Sequence, residues 1–129
     1  MSDKHDRRTK QVIVMRKDLN MRKGKMVAQG AHASIAWLTR DLHRVGNGKM
    51  TDAERDWIDG SFVKICVGVD SDEELLSVVA RAQELNVSCH LVTDAGFTEF
   101  AGIPTHTCCA VGPDWNERVD AVTGALKLL

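Results

Sequence analysis

The sequence predicts a single layered α/β domain with helices on both faces of a sheet. The run Val12-Ile13-Val14-Met15 shows no polar alternation, the pattern of a strand covered on both sides. Two capping boxes, Thr51-Asp52-Ala53-Glu54 and Ser71-Asp72-Glu73-Glu74, place helix starts between apolar, β-rich stretches. The resulting order, βααβαββα, joins the first three strands through helices and makes them parallel. A chain of 129 residues is the size of one such domain and needs no staples to hold its core.

The first strand covers Gln11 to Arg16, and the first helix runs from about Lys23 to Arg44, ending before the turn residues Gly46-Asn47-Gly48. Val27, Ala31, Ile35, Leu38 and Leu42 recur at helical spacing and form the stripe expected on the core. Thr51 opens a short helix that holds Trp57 and Ile58 and ends at Gly60. A second strand follows over Phe62 to Val69. Leu75, Leu76, Val79, Ala82 and Leu85 give the next helix its apolar side, and Asn86 closes it. Val87 to Thr93 and Thr105 to Val111 read as the third and fourth strands. Gly112-Pro113-Asp114 stops the fourth and caps a last helix from about Trp115 to Thr123.

Residues 10–129 form the expected domain, preceded by a basic tail over residues 1–9. That tail is charged and lacks the apolar stretch of a signal peptide, so the expected address is cytoplasmic. No apolar run approaches the roughly 18 to 20 residues of a membrane span. Cys66, Cys89, Cys108 and Cys109 form no C-x-x-C pair and lie in apolar runs, the setting of buried, reduced thiols.

The net charge of −1 hides a division. Residues 1–25 carry nine Lys or Arg against three acids, and the remaining residues eight against fifteen. Lys4, Arg7, Arg8 and Lys10 fit a solvated tail. Arg16, Lys17, Arg22, Lys23 and Lys25 instead flank an ordered strand and helix, and fixed positive charge on an otherwise acidic protein points to a polyanionic ligand. Lys23 and Lys25 stand at a helix N-terminus, which already favours an anion. Lys25, Gln29 and His32 follow at i, i+4 and i+7 and share one polar face.

Ligands of open α/β sheets bind beyond the carboxyl ends of the strands. The loops Lys17 to Lys25 and Asp94-Ala95-Gly96-Phe97-Thr98 leave that edge. The helix-free connection from Ala95 to Pro104 allows an antiparallel fourth strand, which returns Thr105 and Thr107 to the same edge. A carboxylate, hydroxyls and lysines then converge, although Asp94 alone reads as an ordinary turn aspartate. There is no G-x-S-x-G elbow, no G-x-x-x-x-G-K-[ST] loop, and no histidine pair at metal-ligand spacing.

In these residues the chain resembles the type II peptidyl-tRNA hydrolases over nearly its whole length. The resemblance is carried by Met15-Arg16-Lys17-Asp18-Leu19, Met21-Arg22-Lys23-Gly24-Lys25, Ala28-Gln29 with His32-Ala33, Asp94-Ala95-Gly96 with Thr98, Thr107, Gly112-Pro113, and Val122-Thr123-Gly124 with Leu126-Lys127-Leu128. It implies a mixed four-stranded sheet in an α/β/α domain. The implied activity is hydrolysis of the ester joining a peptide to the terminal ribose of tRNA, without metal or organic cofactor. By the same resemblance Lys25, Asp94, Thr98 and Thr107 are the catalytic group. Arg16, Lys17, Arg22, Lys23, Gln29 and His32 are the expected tRNA-binding residues. The chain departs from the family pattern at Arg22, where many members have glycine. It departs again at Phe97 and Glu99, where a basic residue and a glutamine often flank the threonine.

Ester hydrolysis needs a positioned water, an acceptor or base, and stabilisation of an oxyanion. Asp94 suits the water, Lys25 the developing charge, and the threonines the substrate or the carboxylate. The expected partner is a tRNA carrying a peptidyl or N-acyl-aminoacyl group, with no membrane, and a homodimer is open. The competing reading is a non-catalytic RNA-binding or protein-interaction module on the same fold.

Overall fold

The computed structural model describes residues 8–129. Its elements are β1 (Thr9–Arg16), α1 (Lys23–Arg40), α2 (Leu42–Gly46) and α3 (Asp52–Asp56), which runs into a π-helical turn (Trp57–Ser61). Then come β2 (Lys64–Val69), α4 (Asp72–Glu84), β3 (Cys89–Asp94), β4 (Thr105–Trp115) and α5 (Asn116–Thr123). Residues 1–7 of the expected tail lie outside the described residues. Thr9 already belongs to the fold, since it opens β1 and donates its hydroxyl to Asp56 Oδ2 at 2.8 Å.

The four strands lie in the order β2-β1-β4-β3. β1 pairs with β2 in parallel, and β4 is antiparallel to both β1 and β3. The first three strands thus share a direction as expected, but β3 joins the sheet only through β4. Alternate residues of β1 feed two cores, as the unbroken apolar run requires. Val12 and Val14 pack with Leu75, Ala82 and Val119 under α4 and α5, while Ile13 and Met15 pack with Ala33, Val92 and Cys108 under α1. This is the expected mixed-sheet α/β/α arrangement.

The stripe expected on the core side of α1 is not the buried one. Val27, Ile35 and Leu42 are 72%, 50% and 61% exposed, and the buried positions are Gln29, Gly30, Ala33, Ala36 and Trp37. The helix lies close against the sheet, so the middle of its contact face is made of the small residues Gly30, Ala33 and Ala36. A Cβ on Gly30 would already touch Met15 and Ile13. The large aliphatics are displaced to one side, where Val27, Ala31, Ile35 and Leu38 line an apolar groove of about 610 Å³ with Trp57, Phe62 and Cys66. Cys66 is accordingly exposed, against expectation, because it lies in that groove.

The first helix also stops earlier than Arg44. Asp41 leaves helical geometry, and the break brings Val45 to Trp37 and Trp57, whose rings meet edge-on at 6.0 Å. Gly60 does not end the next helix. The chain continues to Ser61 and is stopped by Phe62 in the left-handed conformation (φ 52°), so β2 begins two residues later than expected. β4 runs through Gly112-Pro113-Asp114 to Trp115, because β1 starts early enough for Thr9 and Lys10 to pair with Trp115 and Asp114. Asp114 therefore ends up in the strand, and Trp115 is the N-cap of α5. The Thr51–Glu54 capping box is complete. At Ser71 only the hydroxyl caps Glu74 N, while the Glu74 carboxylate accepts from Asp70 N. Asn86 closes α4 in the left-handed conformation at φ 57°.

Candidate active site

The carboxyl ends of β1 and β3 and the beginning of β4 share one edge, with Asp94 and Thr105 directly opposed. From β1 the chain turns through residues 17–22 into α1, whose first turn brings Lys25 over that edge. Lys25 Nζ donates to Asp94 Oδ1 at 2.9 Å and to Thr98 Oγ1 at 2.7 Å, and it stands 5.7 Å from the centre of the Phe100 ring. The two charged side chains are 13% and 15% exposed, so the pair is mostly desolvated yet reachable from solvent. The other Asp94 oxygen, Oδ2, accepts from Gly96 N at 2.8 Å. Gly96 has φ 89° and abuts the backbone of Ile103, where a side chain would collide, so the turn after β3 requires glycine.

Lys25, the Gly96 N–H and Gln29 together hold the Asp94 carboxyl below the usual carboxylate range, the Lys25 hydrogen bond being the largest influence. Gln29 Nε2 donates to Asp94 Oδ1 at 3.3 Å, and its Oε1 accepts from Thr107 Oγ1 at 2.6 Å. Thr107 is fully buried and Gln29 is 3% exposed. The chain of contacts thus runs from Thr107 through Gln29 to Asp94, then through Lys25 to Thr98. Thr107 meets Asp94 only through Gln29, and Gln29 itself is nearly buried between them.

His32 is exposed and lines a polar cleft of about 420 Å³ with Gln29, Thr39, Arg40, Thr93 and Asp94. Arg40, which donates to Leu91 O at 2.9 Å, is a member of this wall that the sequence reading did not single out. The signal was available: extending the Lys25, Gln29, His32 face by two further turns reaches it.

The basic residues around this edge differ in their freedom. Arg16 grips Asp18 through two nitrogens at 3.0 and 2.6 Å and is 12% exposed. Lys17 lies 3.3 Å from Asp70. Arg22, 89% exposed, reaches Glu99 at 3.5 Å, and its backbone N–H points to the same carboxylate. Of the five ordered cations that the sequence singles out, Lys23 alone has no carboxylate within ion-pair distance among the described residues. Among the described residues no three His, Cys, Asp or Glu side chains gather as a metal site.

A lysine, an ionised carboxylate and a threonine hydroxyl whose proton is uncommitted suit water-dependent cleavage of an acyl bond, and the free lysine at the helix start suits an anionic substrate. An α/β domain with such a cluster at its sheet edge, and no serine or cysteine in the cluster, has the make-up of a hydrolase that works without a covalent nucleophile of that kind. A family model described as Peptidyl-tRNA hydrolase PTH2 matches residues 9–129, and the chain belongs to that family. It is 44% identical to a peptidyl-tRNA hydrolase of Methanothermobacter thermautotrophicus over 93% of this chain and 99% of the relative. A peptidyl-tRNA hydrolase of Methanocaldococcus jannaschii is 41% identical over 93% of this chain and 99% of its own. Among solved structures, a protein of unknown function from Agrobacterium tumefaciens shares the fold at a TM-score of 0.59 and 16% identity, covering 94% of this chain and 97% of that one.

Proposed function

We propose that the protein hydrolyses the ester between a peptidyl or N-acyl-aminoacyl group and tRNA, with the Lys25–Asp94–Thr98 cluster at its centre. The single observation that carries the chemistry is the position of Lys25 Nζ, in contact with both Asp94 and Thr98 at the open sheet edge. Family membership supports the substrate class.

A carboxylate held below its usual range is a weak proton acceptor near neutrality. Asp94 therefore serves chiefly to align the attacking water: Oδ1 already accepts from Lys25 and Gln29, and Oδ2, with one bond from Gly96 N–H, keeps a lone pair for it. Lys25 offsets negative charge as the tetrahedral intermediate forms. Thr98 accepts from Lys25 and so keeps its own proton for a substrate oxygen. Thr107 spends its hydroxyl on Gln29, and both act as positioning residues that fix Asp94. Lys23, His32 and the exposed guanidinium of Arg22 are the best-placed groups for the tRNA backbone. Arg16 and Lys17, committed to Asp18 and Asp70, contribute through the field they set up.

Two finer points follow the same reading. Among the described residues no helix is long and apolar enough to cross a membrane, and a translation substrate is consistent with a cytoplasmic enzyme. The apolar surface beside α1 fits a homodimer: Val27, Ile35 and Phe62 are exposed there, and a second copy related by a two-fold axis could cover it with the same residues.

The test is incubation of the purified protein with N-acetyl-aminoacyl-tRNA and with free aminoacyl-tRNA. Release of the acylated amino acid is expected. Binding of both without cleavage of either would instead support a non-catalytic RNA-binding module.

A further inference from the structure

The turn between β3 and β4 commits three of four consecutive side chains. Thr98 accepts from Lys25 Nζ, Glu99 holds Arg22, and Phe100 packs against the core under α1. The fourth, Phe97, is 87% exposed, more than any other large hydrophobic side chain among the described residues. The backbone beneath it is firmly tied. Gly96 N is bound by Asp94 Oδ2, and Gly96 O accepts from Gly102 N at 2.9 Å and Phe100 N at 3.3 Å. Ile103, whose backbone abuts Gly96, is a second exposed apolar residue of the same turn, at 64%. A ring so exposed contributes little burial to the fold, and its place in the chain is what singles it out. It stands one residue from the hydroxyl that contacts Lys25, and consecutive Cα atoms are only about 3.8 Å apart.

From this juxtaposition we infer that Phe97 is a stacking platform for the terminal nucleobase of the substrate's tRNA. The inference rests on the function proposed above, because the ester to be cleaved sits on the ribose that carries that base. A ring carried on a hydrogen-bonded turn next to Thr98 meets the base without ordering a loop first, and stacking accepts any base because every base has a π-face. The base then aligns the ribose, and with it the ester, against Lys25 and Asp94.

The test uses full-length protein and two tRNA substrates acylated with N-acetyl-aminoacyl groups, one intact and one abasic at the terminal nucleotide. Phe97→Ala should lower kcat/KM on the intact substrate by about 5- to 150-fold, the loss of one base–aromatic stack. Phe97→Leu should lose most of the same factor and Phe97→Trp little of it. On the abasic substrate wild type should fall to the level of Phe97→Ala, and the variant should lose nothing more. Equal rates for wild type and Phe97→Ala on intact tRNA, or an equal loss on both substrates, would overturn the proposal.

A binding readout separates this proposal from the catalytic reading. Uncharged tRNA carrying 2-aminopurine at its terminus should be quenched by wild type and by Phe97→Trp, but not by Phe97→Ala. Quenching without cleavage would remove the hydrolase reading and keep the platform. Cleavage without quenching would do the reverse.

Discussion

Gln29 offers the sharpest separation of fold from chemistry, because one side chain joins a buried hydroxyl to the site carboxylate. Replacing it by Leu keeps the volume and removes both contacts, the 2.6 Å bond from Thr107 and the 3.3 Å bond to Asp94. Thr107 is fully buried, and its remaining partner is Cys108 Sγ at 3.7 Å, a weak acceptor. Stranding that hydroxyl costs about 1–3 kcal/mol. For a domain of this size that corresponds to a fall of roughly 4–12 °C in Tm. Adding Thr107→Val removes the stranded group, so Gln29→Leu/Thr107→Val should regain most of the lost Tm, since replacing both partners by apolar groups is nearly neutral. Turnover should behave differently. It should fall in Gln29→Leu and stay low in the double variant, because Asp94 has lost one of the groups that orient it in both. The assays are thermal melting by circular dichroism and steady-state hydrolysis of N-acetyl-aminoacyl-tRNA. Additive losses of Tm would show that the Thr107–Gln29 bond is not the coupling, and wild-type kcat in Gln29→Leu would refute its positioning role.

Asp94→Asn should lower kcat about a hundredfold or more while leaving tRNA affinity nearly unchanged, since it removes a charged acceptor and no cation; wild-type turnover in that variant would remove Asp94 from the mechanism. Lys23→Ala should weaken tRNA binding and reduce the salt slope by about one unit or somewhat less, with kcat at saturation intact, as a titration across a salt series would show. His90 lies 3.9 Å from Asp41 with its Nδ1 unpartnered, and burial above all pushes its pKa down. The unfolded chain then takes up a proton near its ordinary pKa, about 6.5, that the folded protein refuses. Stability should therefore fall as the pH drops below about 7, with the loss complete below the folded pKa. His90→Leu should flatten that part of the Tm profile, and an unchanged slope would show that another group sets it.

Much of this architecture was legible because its signals are local. The Val12–Met15 run named a strand buried on both sides, Thr51 and Ser71 placed helix starts, and Asp94-Ala95-Gly96 marked the turn that presents the carboxylate. What could not be read depends on the distance between elements. Hydrophobic spacing identified Val27, Ile35 and Leu42 as a coherent stripe, but how closely α1 sits on the sheet decides which face is buried, and Gly30 and Ala33 carry that information with little hydrophobicity. The same closeness buries Gln29, which spacing placed on the polar face shared with Lys25 and His32. Gly60 looked like the stop of its helix because glycine ends helices cheaply, whereas Phe62 takes the left-handed position with its N–H on Trp57 O at 2.9 Å. The pairing of Arg22 with Glu99 lay beyond sequence reasoning, since those residues are far apart in the chain.

In the mechanism proposed above, Lys25 acts on the transition state, whereas Lys23, two positions earlier, acts on tRNA affinity. Steady-state hydrolysis of N-acetyl-aminoacyl-tRNA by Lys25→Ala, with circular dichroism confirming the fold, tests it directly. A contact made chiefly in the transition state lowers kcat and kcat/KM together, and that joint fall, about a hundredfold or more, is the expected result. A rise in KM with kcat unchanged would contradict the account and make Lys25 one more contact to phosphate.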